Sequence, residues 1–275
     1  MIRLTPTSRE DVRDFLREDI PPNIYLLSML ERAEQSASDS LVLDGEIFGA
    51  PSSRHLQGVV YASRTGLIVL FAVNCEIAFA MGDHFRDRII VRMVVGPQEE
   101  TDAFWKGLKS RREPRLHRMH RLYTIEPRQL SVAPEEEITI ALPQDLERCC
   151  VLAAKMQQEE LGVDPMTIDP VGFRKRIQGL IDRQALHILL HQGNIAFQAS
   201  TYSTCVEGVQ VEGVITPTAI RRRGFATRGM AAMCASLLQR FPRITLHVNE
   251  NNEGAVQLYD RLGFVPYTTF RLIGF

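Results

Sequence analysis

The stretch Asn252-Glu253-Gly254-Ala255-Val256-Gln257-Leu258-Tyr259-Asp260-Arg261-Leu262-Gly263-Phe264 places a tyrosine on a helix just before a Gly-Phe turn. A short distance upstream, Arg221-Arg222-Arg223-Gly224-Phe225-Ala226 reads R-x-x-G-x-A between a strand-like run and a helix-like run. That is how a chain offers backbone N–H groups and a helix N-terminus to a phosphate. The small residues Gly224 and Ala226 keep side chains from blocking the approach of phosphate oxygens to the backbone. The bland alternative is a plain strand-to-helix turn with its arginines facing solvent.

Together the two segments resemble the GNAT superfamily of N-acetyltransferases. In that family the acetyl-CoA pyrophosphate loop reads Q/R-x-x-G-x-G/A and a later helix commonly reads N-x-x-A-x-x-L-Y-x-x-x-G-F. The loop pattern alone would occur by accident in roughly one chain in four of this length. Asn252, Ala255, Leu258, Tyr259, Gly263 and Phe264 together would match by chance on the order of once in ten million starts, so they carry the resemblance. The resemblance implies acyl transfer from acetyl-CoA, as co-substrate, to an amine attacking directly, with Arg221, Arg222, Arg223, Gly224, Phe225 and Ala226 around the pyrophosphate. Counting back from Arg221, it assigns Val214 and Thr216 to backbone contacts with pantetheine.

Tyr259 sits where many of these enzymes have the tyrosine that protonates the departing thiolate, a role open to a phenol. The alternative is a ring that packs and hydrogen-bonds the sulfur. Asn252 is a helix N-cap by position, and equally a contact for pantetheine or phosphate. For the base, Glu212 lies on the strand beneath the expected thioester and His247 on the neighbouring strand; each could instead be a surface residue. Glu159 and Glu160 precede a Gly-Val-Asp-Pro turn that would border the acceptor. The acceptor itself, a small-molecule or peptide amine, is not readable, because such pockets are built from variable loops. A non-catalytic acyl-CoA-binding or ligand-sensing module is the second reading.

At 275 residues the chain is long enough for two domains. Hydrophobic residues make up 45% and charged residues 24%, as in an ordinary globular protein. A net charge of -1 argues against broad nucleic-acid binding, although residues 109–121 are locally basic, either a solvated face or a phosphate-binding patch. Five cysteines without a C-x-x-C fit a reducing cytoplasm. No apolar run reaches bilayer-spanning length, so no membrane partner is expected. No metal is expected either: His117 and His120 are three apart, on opposite faces of a strand, with no cysteine nearby.

Residues 131–136, between Pro- and Glu-rich flanks, read as a linker. They separate an expected GNAT-like domain at 1–130 from an acetyl-CoA-binding domain at 137–275. For the latter, periodicity and turn signals give a strand at 138–141, helices at 143–161 and 169–183, and strands at 186–191, 195–203 and 209–216. A helix at 225–240, a strand at 244–249, a helix at 252–262 and a strand at 268–273 follow. The first half has a similar rhythm: helices at 9–16, 23–32, 76–85 and 98–109, with strands at 41–43, 56–62, 67–72 and 89–95. Lacking a Q/R-x-x-G-x-G/A, it resembles a degenerate GNAT domain, as in a group of bacterial two-domain GNAT proteins. The expected fold class is mixed α/β, in tandem.

Overall fold

The computed structural model describes residues 1–3, 9–35, 45–51, 55–86 and 88–275. The strand expected at 41–43 lies outside them. The chain runs β1 (Ile2–Arg3), α1 (Arg9–Arg17), α2 (Ile20–Gln35), β2 (Gly45–Pro51), β3 (Leu56–Ser63), β4 (Leu67–Ala72), α3 (Cys75–Phe85), β5 (Met93–Pro97), α4 (Gln98–Leu108) and β6 (Leu116–Ile125). It continues with β7 (Thr139–Ile140), α5 (Leu146–Leu161), α6 (Pro165–Ile168), α7 (Pro170–Asp182), β8 (Leu186–His191) and β9 (Asn194–Cys205). The last elements are β10 (Gly208–Ile215), α8 (Phe225–Leu237), β11 (Ile244–Asn249), α9 (Glu253–Leu262) and β12 (Val265–Gly274). The fold is mixed α/β, as the sequence leads one to expect.

Two compact units emerge, and no single cut separates them. The first comprises Met1–Tyr123, His247–Glu253 and Pro266–Phe275; the second comprises Thr124–Leu246 and Gly254–Val265. Residues 131–136, read as a linker, are bonded into the second unit. Ser131 donates from its hydroxyl to the Arg261 carbonyl (2.8 Å) and from its N–H to that of Leu262 (3.1 Å), and Glu136 pairs with Arg228.

In the first unit the strand order is β1-β2-β3-β4-β5-β12-β6. β4 and β5 are parallel, from Leu67↔Met93 to Val69↔Val95, with α3 in the crossover. β12 lies antiparallel to β5 from Phe270↔Pro97 to Gly274↔Met93, so the end of the chain completes this sheet. β5 starts at Met93 rather than residue 89 because β4, its partner, begins only after the Gly66 turn; Ile90 is 67% exposed. Helices α3 and α4 approach closely through glycines. A Cβ on Gly82 would sit 2.1 Å from the Phe104 carbonyl oxygen, and one on Gly107 equally close to that of Phe79. Around this contact Ile68, Leu70, Met81, Phe85, Val94 and Phe104 form the core.

In the second unit the order is β11-β10-β9-β8-β7. The turn Gln192-Gly193, with φ of +51° and +77°, joins β8 to β9 as a tight hairpin. β9 is buried almost throughout, the mark of a strand covered on both faces. One core holds Cys149, Cys150, Phe173, Ile177, Leu186 and Ile188 from α5, α7 and β8. Gly229 of α8 presses on Phe197 of β9, where a Cβ would lie 2.4 Å from the ring. Asp169 caps α7 through the Gly172 N–H (2.9 Å), as its Asp-Pro signature predicts.

Candidate functional site

β10 (to Ile215) and β11 run parallel, with Val209↔Ile244 and Val211↔Leu246 among their pairs. The register of β10 with β9 shifts between Gln210 and Val211 and again between Glu212 and Ile215, and Gly213 takes φ +69°. A strand bent by bulges leaves ladder groups unpaired and open to an extended ligand. Glu212 is exposed there and Val214 half-buried. Thr216 follows, 8% exposed, and its hydroxyl is buried without a hydrogen-bond partner. A buried orphan hydroxyl is costly unless a ligand satisfies it.

The loop after Thr216 curls through two left-handed residues, Arg222 (φ +61°) and Gly224 (φ +84°). Gly224 is the N-cap of α8, and no side chain caps the helix. The nearest atom that a Cβ there would meet is Arg228 Nε at 3.9 Å, so the space before the helix end is open. Backbone N–H groups of the first turn and the helix dipole thus face an accessible cradle sized for phosphate.

The parallel crossover of the first unit contrasts with this. There Asn74 accepts from the Ile77 N–H (3.0 Å) and closes the N-terminus of α3 with its own side chain.

The loop arginines divide by role. Arg221 donates through Nε to the Thr216 carbonyl (3.0 Å) and through Nη2 to Glu159 (2.7 Å), so its guanidinium braces the loop against α5. Arg222 and Arg223 are exposed. Phe225 is buried against His191, with ring centroids 4.7 Å apart, while Ala226 is half-buried in the first turn. Arg228, which the motif does not single out, stacks 4.4 Å from the Phe225 ring centroid and pairs with Glu136. Its position one turn into α8 is the signal that could have found it.

Tyr259 on α9 is 5% exposed and packs on Phe264 at 5.6 Å between ring centroids. Burial, then the charge of Glu160, then Cys234 hold its phenol above the ordinary range, so it stays protonated. Gly263 is obligatory in the Gly-Phe turn: φ is +95°, and a Cβ would lie 1.9 Å from the Gln129 carbonyl oxygen.

Glu212, Val214, Thr216, residues 221–226 and Tyr259 all belong to the second unit, whereas His247 and Asn252 fall in the first. The His247 ring lies 4.5 Å from that of Phe270. Burial, reinforced by His120, pushes its imidazole down to about 3, leaving a neutral and weakly basic ring. Asn252 is exposed and donates its N–H to the Asn249 carbonyl (2.8 Å). Among the described residues no group of three His, Cys, Asp or Glu side chains could hold a metal ion, and no helix is long and apolar enough to cross a membrane.

Residues 204–272, from the end of β9 into β12, match the family model described as FR47-like protein. No curated protein sequence matches the chain. Among solved structures it is similar to a GNAT-family acetyltransferase from Colwellia psychrerythraea, with TM-score 0.57 and 15% identity over 90% of this chain and 97% of that one. It is also similar to a Drosophila protein, with TM-score 0.75 and 11% identity over 99% and 97% of the two chains. A third similar structure is a tandem GNAT protein from the clavulanic acid biosynthesis pathway, with TM-score 0.54 and 11% identity over 99% and 96%. In fold, then, the chain resembles GNAT proteins of the tandem kind, with the family-model match confined to residues 204–272.

Proposed function

We propose that the second unit binds acetyl-CoA and that the protein is an N-acetyltransferase acting on a primary amine of a small molecule or peptide. The observation that carries this reading is the uncapped N-terminus of α8 at Gly224, with the orphan hydroxyl of Thr216 at the foot of the same loop. These groups fit a pyrophosphate: Gly224 gives the open approach, the first-turn N–H groups donate, and Arg221 braced on Glu159 fixes the loop. Val214 and the bulged backbone of β10 suit pantetheine.

When bound, acetyl-CoA supplies a thioester whose carbonyl carbon an amine nitrogen attacks, with the C–S bond breaking. Glu212, exposed on β10, takes the proton that the ammonium form must lose, directly or through water. His247, the other candidate base, keeps a neutral ring whose basicity burial reduces. Tyr259, held protonated, donates toward the departing sulfur. The buried thiols of Cys149 and Cys234, both pushed up to about 12, are poor nucleophiles, which favours direct attack over an acyl-cysteine. The absence of disulfides among five free cysteines fits the cytoplasm as the working compartment.

Mass spectrometry of the purified chain with acetyl-CoA and pooled amines tests the reading. Acetylated amine formed only with active protein is the expected result. Acetyl-CoA binding by calorimetry with no product from any amine class would favour a sensor instead.

A further inference from the structure

The first unit holds a groove that acyl transfer leaves unused. Two cavities of about 570 and 610 Å³ adjoin, sharing Ile90, Arg112 and Phe275 in their walls. Trp105 and Phe275 form an aromatic floor, with ring centroids 4.6 Å apart at 31°. Ile90 stands 67% exposed beside it. The rim is basic. Lys109 and Arg86 are engaged by Asp83 (2.9 and 3.8 Å), but Arg92, Arg111, Arg112 and Arg115 have no ion pair recorded among the described residues. Glu113 carries the single carboxylate side chain among the described lining residues.

Arginines gathered around one concavity repel one another unless an anion joins them, and a planar guanidinium matches a carboxylate or phosphate. A cavity of several hundred Å³ with an apolar floor and a few converging polar groups has the size and character of a small-molecule site. A second copy of this chain fits poorly, since a two-fold contact would set arginines on arginines. A long polyanion would want a basic face extending well beyond one concavity, in a protein whose net charge is -1.

We propose that this groove binds a small organic anion, an aryl or alkyl carboxylate or phosphate, with its apolar body on Trp105 and Phe275 and its head held by Arg112 and Arg92. The site is independent of the acyl-transfer reading. Trp105 is the only tryptophan in the chain, so its emission reports this groove directly.

The full chain is titrated with phenyl phosphate, with benzyl alcohol and inorganic phosphate as controls for the charge and the body. Expected is a saturable change in Trp105 emission with phenyl phosphate, none with benzyl alcohol, and at least roughly tenfold weaker binding of inorganic phosphate. Arg112→Ala should weaken phenyl phosphate about tenfold, the value of one charge-assisted contact. Ile90→Asp, which adds a carboxylate at the rim, should weaken it similarly; thermal melts establish that each variant is folded, and either folded variant suffices. No saturable change, an equal response to benzyl alcohol, or unaltered affinity in a folded variant overturns the proposal. So does a dimer in solution that Ile90→Asp dissociates, which would assign the groove to a second copy.

Discussion

Gly224→Glu sets a carboxylate and its stem in the open space before α8, where phosphate oxygens would approach the first-turn N–H groups. Losing two charge-assisted hydrogen bonds should weaken acetyl-CoA binding roughly 100-fold or more. Because φ is +84°, any L-residue there also strains the backbone. Gly224→Ala shares that strain without the charge, so the two variants should melt alike while calorimetry separates them in affinity. Equal affinities would return the loop to a structural turn. Tyr259→Phe keeps the buried ring and removes the hydroxyl, and kcat should fall roughly 10- to 10³-fold with little change in KM for acetyl-CoA. Since burial raises the phenol above its ordinary value, the wild-type kcat profile should show no limb from Tyr259 near neutrality. Unchanged turnover in the phenylalanine variant rejects the proton donor. Gly224 and Gly263 were legible in the sequence because each position demands a particular backbone, and glycine alone meets that demand without strain. Arg228 was not, and Glu160 was legible only as an acceptor-side carboxylate, because the stacking of one and the charge of the other on Tyr259 arise only when α8, α5 and α9 pack.

His187 on β8 carries an acid-sensitive term into the second unit. Its ring is 7% exposed, Nδ1 has no partner, and burial, assisted by the charge of Arg240, lowers it to about 4. The folded value lies below the ordinary 6.5, so between those pH values the unfolded chain binds the extra proton. The stability contributed is therefore present above about pH 6.5 and is lost as pH falls toward 4, by up to about 3 kcal/mol. Thermal melts should show Tm falling over that window, with a shallower fall in His187→Leu. Identical slopes in the two proteins would mean that His187 is hydrated in the fold. Elements with strong periodicity or punctuation were legible: the helix expected at 169–183 and the strands expected at 186–191 and 195–203 are α7, β8 and β9. β2 was not, because Gly-Glu-Ile-Phe-Gly-Ala-Pro reads as a turn and becomes a strand only through its register with β3, Phe48 opposite Val60 among others.

At the scale of the whole molecule, a repeated sequence rhythm predicts two halves separable near residue 131, but the tertiary structure draws β12 into the first unit's sheet. No local signal in Val265–Gly274 says which sheet will take it; an apolar-rich strand pairs wherever an unfilled edge of matching register lies. β5 offers that edge, and the docking is specific. Arg271 holds Asp102 of α4 with two bonds (2.9 and 3.1 Å), Thr269 donates to Gln98 (3.0 Å), and Phe275 lies against Trp105. Phe270 and Ile273 are 4% and 0% exposed, and burying two such side chains is worth roughly 3–6 kcal/mol. That sum is a large part of the stability of a typical domain, about 5–15 kcal/mol. A fragment of residues 1–130 should therefore fail to fold cooperatively even though it spans the whole of the first sequence half. A synthetic peptide of residues 265–275, added in trans, should restore a sigmoidal melt and blue-shift the emission of Trp105, with Arg271→Ala in the peptide weakening the rescue. A fragment that melts cooperatively alone, with native Trp105 emission, would show that β12 is an accessory of that sheet rather than part of what makes it fold.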